Sequence, residues 1–371
     1  MNTQKPKFSI IIPVYNRPQE VQELLESLVC QSVKDFEVVI VEDGSSSKCD
    51  AVVAQFCAAS DAVQASDAVQ ASGAVRADGA VAAVVPLKPE QSAGKLPVTY
   101  CYKENGGPAA ARNYGAQMAQ GEWLVFFDSD CIIPENYIAE AIAELQGQEC
   151  ELFGGADRSH PSFTPLQKAI DYSMTSILTT GGIRGNKKSA DKFYPRTFNM
   201  GIQKRVFEEI GGFSNMRFGE DVDFSYKVKE GGYNSRFFPQ AWVYHKRRNT
   251  FRTFFKQVFN SGIARIHLTK RHPGSLKLVH LLPSCFVLGC VMLVLLSALF
   301  TPYFMAPVIF LALLLFADAT FRRKSLKTGA LSVAASFVQL FGYGSGLLCG
   351  WWNVVVLGKQ NYAAFVKNFY R

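Results

Sequence analysis

Asp128 and Asp130 stand one residue apart, just after the apolar run Trp123-Leu124-Val125-Phe126-Phe127. Carboxylate oxygens suit hard divalent cations such as Mg2+ or Mn2+. In extended backbone, residues i and i+2 project to the same side. The pair falls where a buried strand is expected to run out into a loop, so both carboxylates can face one site. A cation held there, at the carboxyl edge of an α/β sheet, can grip a diphosphate and activate a nucleotide leaving group.

Three more groups fall at expected strand ends: Pro13-Val14-Tyr15, Asp43, and the Gly106–Asn113 segment that carries Arg112. Each has an ordinary reading alone. Asp43 before Gly44 suits a turn, Arg112 suits a solvated helix face, and Asp-x-Asp pairs recur in loops by chance. Their order over about 120 residues is harder to dismiss, because ligands of open parallel sheets bind beyond the carboxyl ends of the strands. Further on, Gly219-Glu220-Asp221-Val222-Asp223 precedes an amphipathic segment. Acidic residues favour helix N-termini, and Asp223 is assigned that role. Asp221 suits either a cap or a general base reaching an acceptor hydroxyl. His245 closes an extended segment and fits a structural ring or, as neutral imidazole, a third metal ligand.

The elements that must position these groups alternate. Phe8–Val14 reads as a buried strand, Gln19–Val29 as a helix, and Phe36–Val41 as a second strand with Glu42–Ser46 as its exit turn. That order implies a right-handed crossover and a parallel sheet. Val98–Lys103 and Glu122–Phe127 continue the strands; Ala109–Ala119, Pro134–Leu145 and Asp221–Lys229 read as helices. The stretch 154–197 reads as partly irregular and Phe237–His245 as extended. Thr250–Leu268 is amphipathic, with Phe251, Phe254, Phe255, Val258, Phe259, Ile263 and Ile266 on one face. It suits either a helix lying in a membrane interface or one docked on the preceding domain.

The last hundred or so of the 371 residues are different in kind. Leu278–Phe300, Tyr303–Phe321 and Ala330–Leu357 read as membrane segments. Arg265, Lys270, Arg271 and Lys277 precede the first, and Arg322, Arg323, Lys324 and Lys327 separate the second from the third. The connection at Thr301-Pro302 is uncharged. The positive-inside rule therefore puts the N-terminal region and the basic loop in the cytosol, and Met1 is not followed by a signal-peptide pattern. Asp318 can pair with Arg322, four residues on. The net charge of +8 is explained by residues beside the spans meeting anionic membrane lipids, without nucleic acid. The nine cysteines show no zinc spacing and read as reduced thiols. Residues 61–84 hold four copies of a six-residue unit, DAVQAS, DAVQAS, GAVRAD, GAVAAV. They read as a tandem duplication forming a surface insertion, which a fold can carry because long loops add little closure entropy.

Together Pro13-Val14-Tyr15-Asn16-Arg17, Val41-Glu42-Asp43-Gly44-Ser45, Gly107-Pro108-Ala109-Ala110-Ala111-Arg112-Asn113, Asp128-Ser129-Asp130, Gly211-Gly212-Phe213, Gly219-Glu220-Asp221 and His245 make the chain resemble a family 2 glycosyltransferase. The resemblance covers residues 8–248 apart from the repeat. It implies a GT-A fold, an α/β Rossmann-like mostly parallel sheet flanked by helices, here followed by an all-α transmembrane region. The expected division is a catalytic domain at 1–248, an amphipathic juxtamembrane helix at 249–277 and a membrane region at 278–371. By the same resemblance Asp43 would bond the uracil of a UDP-sugar, with the Pro13, Val14 and Tyr15 backbone and Arg112 nearby. Asp128 would contact the ribose, and also the cation directly or through water. Asp130 would ligate Mn2+ or Mg2+, with His245 completing the site. Asp221 would be the base, supported by Glu220, in a single displacement that inverts the sugar.

Processive relatives carry Gln-x-x-Arg-Trp after the base. Gln257-Val258-Phe259-Asn260 is the nearest segment here and lacks the Arg-Trp, so one sugar per cycle is expected. The acceptor expected is a hydroxyl of a lipid-linked saccharide or glycolipid, in surface polysaccharide assembly at the cytosolic face of a bacterial inner membrane. A polyprenyl-phosphate acceptor is an alternative. A nucleotidyltransferase of related fold would show a Gly-rich basic loop, absent from Ile11–Tyr15. A non-catalytic scaffold would not need Asp43, Asp130 and Asp221.

Overall fold

The computed structural model describes residues 5–57, 82–84, 96–147, 149–180, 194–360 and 362–365. Of the repeat at 61–84, all but 82–84 lies outside the described residues. The chain divides into two units: Met1–Arg158 with Ser189–His245, and Ser159–Lys188 with Lys246–Arg371.

The first unit is built on one sheet. Its strands are β1 (Phe8–Val14), β2 (Phe36–Asp43), β3 (Ala82–Val84), β4 (Val98–Lys103), β5 (Trp123–Phe126), β6 (Cys131–Ile132), β7 (Leu152–Arg158), β8 (Met200–Gln203) and β9 (Ser235–His245). They lie in the order β3-β4-β2-β1-β5-β8-β7-β9-β6. The heart, β4-β2-β1-β5, is parallel, and β3, β8 and β6 pair antiparallel.

The apolar run of β1 is continuous because both faces of the sheet are covered. Phe8, Ile10, Ile12 and Val14 pack on Val21, Leu24, Leu25 and Leu28 of the helix Pro18–Val29 and on Tyr137 and Ile138 of the helix Tyr137–Gly147. Ile11 faces the opposite layer, with Leu124, Phe126, Ala111, Tyr114 and Phe224. Each such buried side chain contributes roughly 1.5–3 kcal/mol relative to exposure, so the strand ends are anchored by a core on either side.

Four of these strands, β3, β6, β7 and β8, are not evident from the sequence pattern. β3 and β6 are only three and two residues long, and glycines thin the apolar pattern of β7 and β8: Gly154, Gly155 and Gly201. β2 also runs further than expected. Glu42 and Asp43, read as an exit turn, pair with Tyr102 and Lys103 of β4 and are buried.

The second unit is helical among the described residues. The helix Pro165–Thr175 lies inside the stretch read as partly irregular; its start is signalled by Thr164 and Gln167, which cap each other's backbone. The helix Phe251–Arg271 begins at Thr250, whose hydroxyl accepts from the Thr253 amide at 3.1 Å. Its apolar stripe is taken by other helices of the same unit: Phe254 and Val258 are buried with Ala169, Ile170, Met174 and Ala335. It meets the helix Leu326–Gly350 backbone to backbone. A Cβ added at Gly346 would lie 2.1 Å from Phe259 O, and one at Gly262 would lie 2.3 Å from Tyr343 O. Gly342, Gly346 and Gly350 repeat at four-residue spacing, the small-residue seam that lets helices approach closely.

The helices Leu278–Leu299, Pro302–Arg323 and Leu326–Val356 are long and apolar enough to cross a membrane. Asp318 accepts from Arg322 Nε at 2.9 Å, the pairing expected, and also from Tyr172 OH at 2.6 Å. Buried Asp171 accepts from Arg247 at 2.9 Å and Arg323 at 2.6 Å.

Candidate active site

Because β1, β2, β4 and β5 run parallel, their carboxyl ends share one edge, and residues just beyond or at those ends gather there. Val14 is buried in the core, so only its backbone can meet a ligand; Pro13 is half-buried and Tyr15 is exposed. Arg112, on the helix Pro108–Met118, points into the same neighbourhood through its ion pairs, described below.

Asp43 is buried and crowded with donors. Oδ1 accepts from Lys103 Nζ at 2.7 Å and from the Gly106 amide at 2.9 Å, and Oδ2 accepts from the Gly107 amide at 2.8 Å. Lys103 is its register partner on β4, which explains the pair. Gly107 reaches this position with φ of 89°, a backbone conformation that suits glycine. Beside it, the Glu42 carboxylate takes the Ser45 hydroxyl, the Cys49 amide and thiol at 2.9 Å each, and Tyr100 OH at 2.8 Å. Burial, and then the charge of Glu42 for the thiol, push Cys49 and Tyr100 upward, so both remain donors.

Asp128 and Asp130 do converge, but by a turn rather than by strand alternation. β5 ends at Phe126, and the Cys131 amide closes a turn onto Asp128 O at 3.1 Å. β6 then pairs Cys131 with His245 of β9. This brings His245 Nε2 to 3.2 Å from Asp130 Oδ1 and 3.9 Å from Asp128 Oδ2. The ring stacks on Phe198 with centroids 4.8 Å apart. Arg17 Nη1 takes the other Asp130 oxygen at 2.6 Å.

The residues fit a divalent cation. For metal–ligand bonds of about 2.1 Å, adjacent corners of an octahedron lie roughly 3 Å apart, close to the 3.2 Å between Asp130 Oδ1 and His245 Nε2. Those two and the Cys131 thiol form a set of ligand atoms within 4.8 Å of one another. His245 Nδ1 is buried and has no hydrogen-bond partner among the described residues.

Arg112 links this group to the acidic helix start. Its Nη2 lies 2.6 Å from Asp128 and its Nη1 3.0 Å from Glu220, with only 4% of the side chain exposed. Burial alone would lower the guanidinium; the charges of Asp128 and Glu220 outweigh it and hold the group above its ordinary value. Burial, and then the charge of Asp221, push the Glu220 carboxyl up to about 7 against the pull of Arg112. Asp221, also buried, accepts from Arg196 Nε at 2.5 Å and from the Val222 amide at 2.7 Å. Asp223 is fully buried and accepts from Ser214 at 2.6 Å, so it secures a turn rather than a solvated helix end.

All the residues singled out from sequence therefore lie in the sheet-bearing unit, and contacts join Asp128 to Asp130, His245, Arg112 and Glu220. Lys103, Arg196 and the Arg17 side chain, none of them singled out from sequence, also pair with site carboxylates. A basic residue closing a strand, as Lys103 does, is the one signal that was visible.

A family model described as "Glycosyltransferase like family 2" matches residues 6–261. Among curated proteins, the chain is 24% identical over 293 residues to Glycosyltransferase AglE of Haloferax volcanii, covering 78% of this chain and 83% of that protein. It is 30% identical over 237 residues to an uncharacterized glycosyltransferase of Haemophilus influenzae, where the match spans 59% of this chain and 61% of the relative. Among solved structures, the mannosyltransferase PcManGT from Pyrobaculum calidifontis, in complex with GDP-Man and Mn2+, has a TM-score of 0.57 at 17% identity. That likeness, over 91% of this chain and 88% of that one, is one of fold, and it agrees with the expected GT-A architecture.

Proposed function

We propose a reaction for this chain, which belongs to glycosyltransferase family 2 and is a glycosyltransferase: it moves one sugar from UDP to a hydroxyl of a lipid-linked saccharide or glycolipid, with inversion. The observation that carries the reading is the single cluster formed by Asp130, His245, Asp128, Arg112 and Glu220, with Asp221 next in sequence.

In this reading the acceptor oxygen bonds to C1 of the sugar as the C1–oxygen bond to UDP breaks. The acceptor proton passes to the Asp221 carboxylate, which Arg196 holds in place. A divalent cation on Asp130 and His245 would neutralise charge developing on the departing diphosphate; the Mn2+ in the mannosyltransferase complex supports a cation of this type. Arg112 keeps Asp128 oriented for the ribose and braces Glu220 beside the base.

Asp43 supports uracil as the nucleobase. A carboxylate offers about four lone-pair positions, and three are taken by Lys103, Gly106 and Gly107. One acceptor position matches the single ring N–H of uracil, whereas the guanine edge presents two donors side by side. Membrane attachment is assigned to the three apolar helices. The basic residues flanking them support a cytosolic catalytic unit on a bacterial inner membrane.

One observation favours a second acceptor. Arg196 lies against Asp221 with 38% of its side chain exposed, and a guanidinium there suits the phosphate of a polyprenyl phosphate. The test is a UDP-release screen over a panel of UDP-sugars, with GDP-mannose as a further arm and either membrane glycolipid or polyprenyl phosphate as acceptor. UDP release that requires a hydroxyl acceptor is expected. Release only from GDP-mannose would remove the uracil assignment, and release only with the phosphate would replace the acceptor.

A further inference from the structure

Arg17 is delivered to Asp130 by an unusual piece of backbone. The preceding Asn16 has φ of 54°, in the left-handed region that non-glycine residues enter at a cost. Three hydrogen bonds hold it there. Its amide donates to Ser45 Oγ at 2.8 Å, and its Oδ1 accepts from the Ser47 amide at 2.8 Å and Ser46 Oγ at 3.1 Å. Ser45 in turn donates to buried Glu42. The loop after β2, next to Asp43, is thus latched to the loop that carries Arg17. Arg17 then spans 113 residues of sequence to reach Asp130. The two ends of the site, Asp43 and Asp130, are connected through this latch.

Asp130 divides its oxygens. Oδ2 is held by Arg17 at 2.6 Å, and Oδ1 faces His245 Nε2 at 3.2 Å. The side chains of Arg17 and Asp130 are 20% and 15% exposed, so their charges are only partly screened. A guanidinium and a divalent cation on one carboxylate repel each other. A diphosphate resolves the conflict, since its oxygens match the planar fork of arginine.

We propose that Arg17 is a positioning residue that competes with the divalent cation for Asp130 and shifts to the donor diphosphate, making cation and nucleotide bind cooperatively. The proposal rests on the reading of Asp130 as a cation ligand. Coupling of this kind is reciprocal and commonly amounts to roughly 5- to 150-fold in affinity.

The test is Mn2+ titration followed by electron paramagnetic resonance, on the full chain in nanodiscs, with Mn2+ alone and with UDP or GDP added. In Arg17→Met, Mn2+ alone should bind at least about fivefold more tightly than in the unmodified protein, while the gain from nucleotide shrinks by at least as much, within the coupling range above. Arg17→Lys keeps the charge but not the fork, so Mn2+ alone should bind as in the unmodified protein while part of the gain from nucleotide is lost. Arg17→Gln is a second neutral variant and should behave as Arg17→Met does. A merely structural role predicts the opposite sign, because loosening Asp130 weakens cation binding. Unchanged or weaker Mn2+ binding in both neutral variants overturns the proposal. Asp130→Asn separates this failure from failure of the site itself: if Asp130→Asn binds Mn2+ as the unmodified protein does, the cation site is misassigned, whatever Arg17 does.

Discussion

Arg112→Met removes the cation that joins Asp128 to Glu220 and leaves a side chain of similar length. The guanidinium is buried and makes ion pairs of 2.6 and 3.0 Å. Deleting one partner of a buried pair costs about 3–5 kcal/mol, because the other charge stays behind uncompensated. Asp128 is 32% exposed and water can take up its charge, so the cost falls on Glu220, whose side chain is 10% exposed. Its folded-state carboxyl, near 7, stands above the unfolded value. Such a group stabilises the fold when protonated, and that contribution is lost as pH rises through the folded value. Without Arg112 the folded value climbs further. Between pH 6 and 8 the unmodified protein then loses about 1.4 kcal/mol through this group, and the variant up to about 2.7 kcal/mol. The penalty should therefore be about 1 kcal/mol larger at pH 8 than at pH 6. At roughly 2–4 °C per kcal/mol for a domain of this size, thermal unfolding at pH 8 should fall by about 6–20 °C. Differential scanning fluorimetry of the full chain at both pH values measures it. A fall under about 2 °C at pH 8, or one that does not depend on pH, would refute the assignment of Arg112 as the counter-charge of Glu220.

Three other perturbations probe separate parts of the molecule. Asp221→Asn should slow turnover by about 10²- to 10⁴-fold with UDP binding unchanged; full turnover in that variant removes Asp221 as the base. Asp130→Asn should abolish the gain in UDP affinity that Mn2+ confers on the unmodified protein, and calorimetry that finds the same gain in both proteins contradicts the cation site. Gly346→Val would set a branched side chain against Phe259 O, where even a Cβ would lie 2.1 Å away. A backbone oxygen cannot move aside as a flexible side chain does, so a loss of about 3 kcal/mol is expected at the upper end of overpacking costs; unchanged thermal unfolding in nanodiscs shows that the two helices do not depend on the seam.

The edge of the sheet could be read from sequence because buried parallel strands are apolar throughout and stop abruptly. Pro13, Asp43-Gly44 and Asp128 mark those stops, so the candidate residues could be ordered before any contact was known. The convergence of Asp128 and Asp130 was legible for an incomplete reason: the strand delivers them, but a turn closed onto Asp128 O aims them. The basic partners were hidden. Lys103, Arg17 and Arg196 find their carboxylates at sequence separations of 60, 113 and 25, and an isolated Lys or Arg has no periodicity to betray a buried partner. β7 and β8 were hidden because Gly154, Gly155 and Gly201 remove side chains from their pattern. At Gly201 the space is taken by Phe153, whose ring an added Cβ would meet at 2.1 Å. The stripe of Phe251–Arg271 was visible, but a stripe does not name its partner; the glycines at 342, 346 and 350 were the complementary signal, lying on another helix.

The hidden pairs also suggest how the site handles charge. Asp43 meets Lys103, Asp130 meets Arg17, Asp221 meets Arg196, and Arg112 serves both Asp128 and Glu220. Isolated carboxylates gathered this closely would repel one another, and the buried ones would take up protons. Pairing balances their charge and fixes their geometry before a ligand arrives, the condition under which electrostatic stabilisation of a leaving group costs little reorganisation. Glu220 is the exception that tests the idea. It shares its cation with Asp128 and sits beside Asp221, and burial together with that neighbour displaces its carboxyl upward, to about 7. Uneven sharing of Arg112 is therefore expected to leave Glu220 with a protonation step near neutral pH. Any contact that draws Asp128 away from Arg112 gives Glu220 a larger share of that cation and lowers the step. Ligand binding on the Asp128 side should then release a proton from Glu220, a linkage that Glu220→Gln abolishes and that calorimetry in buffers of different ionisation enthalpy detects.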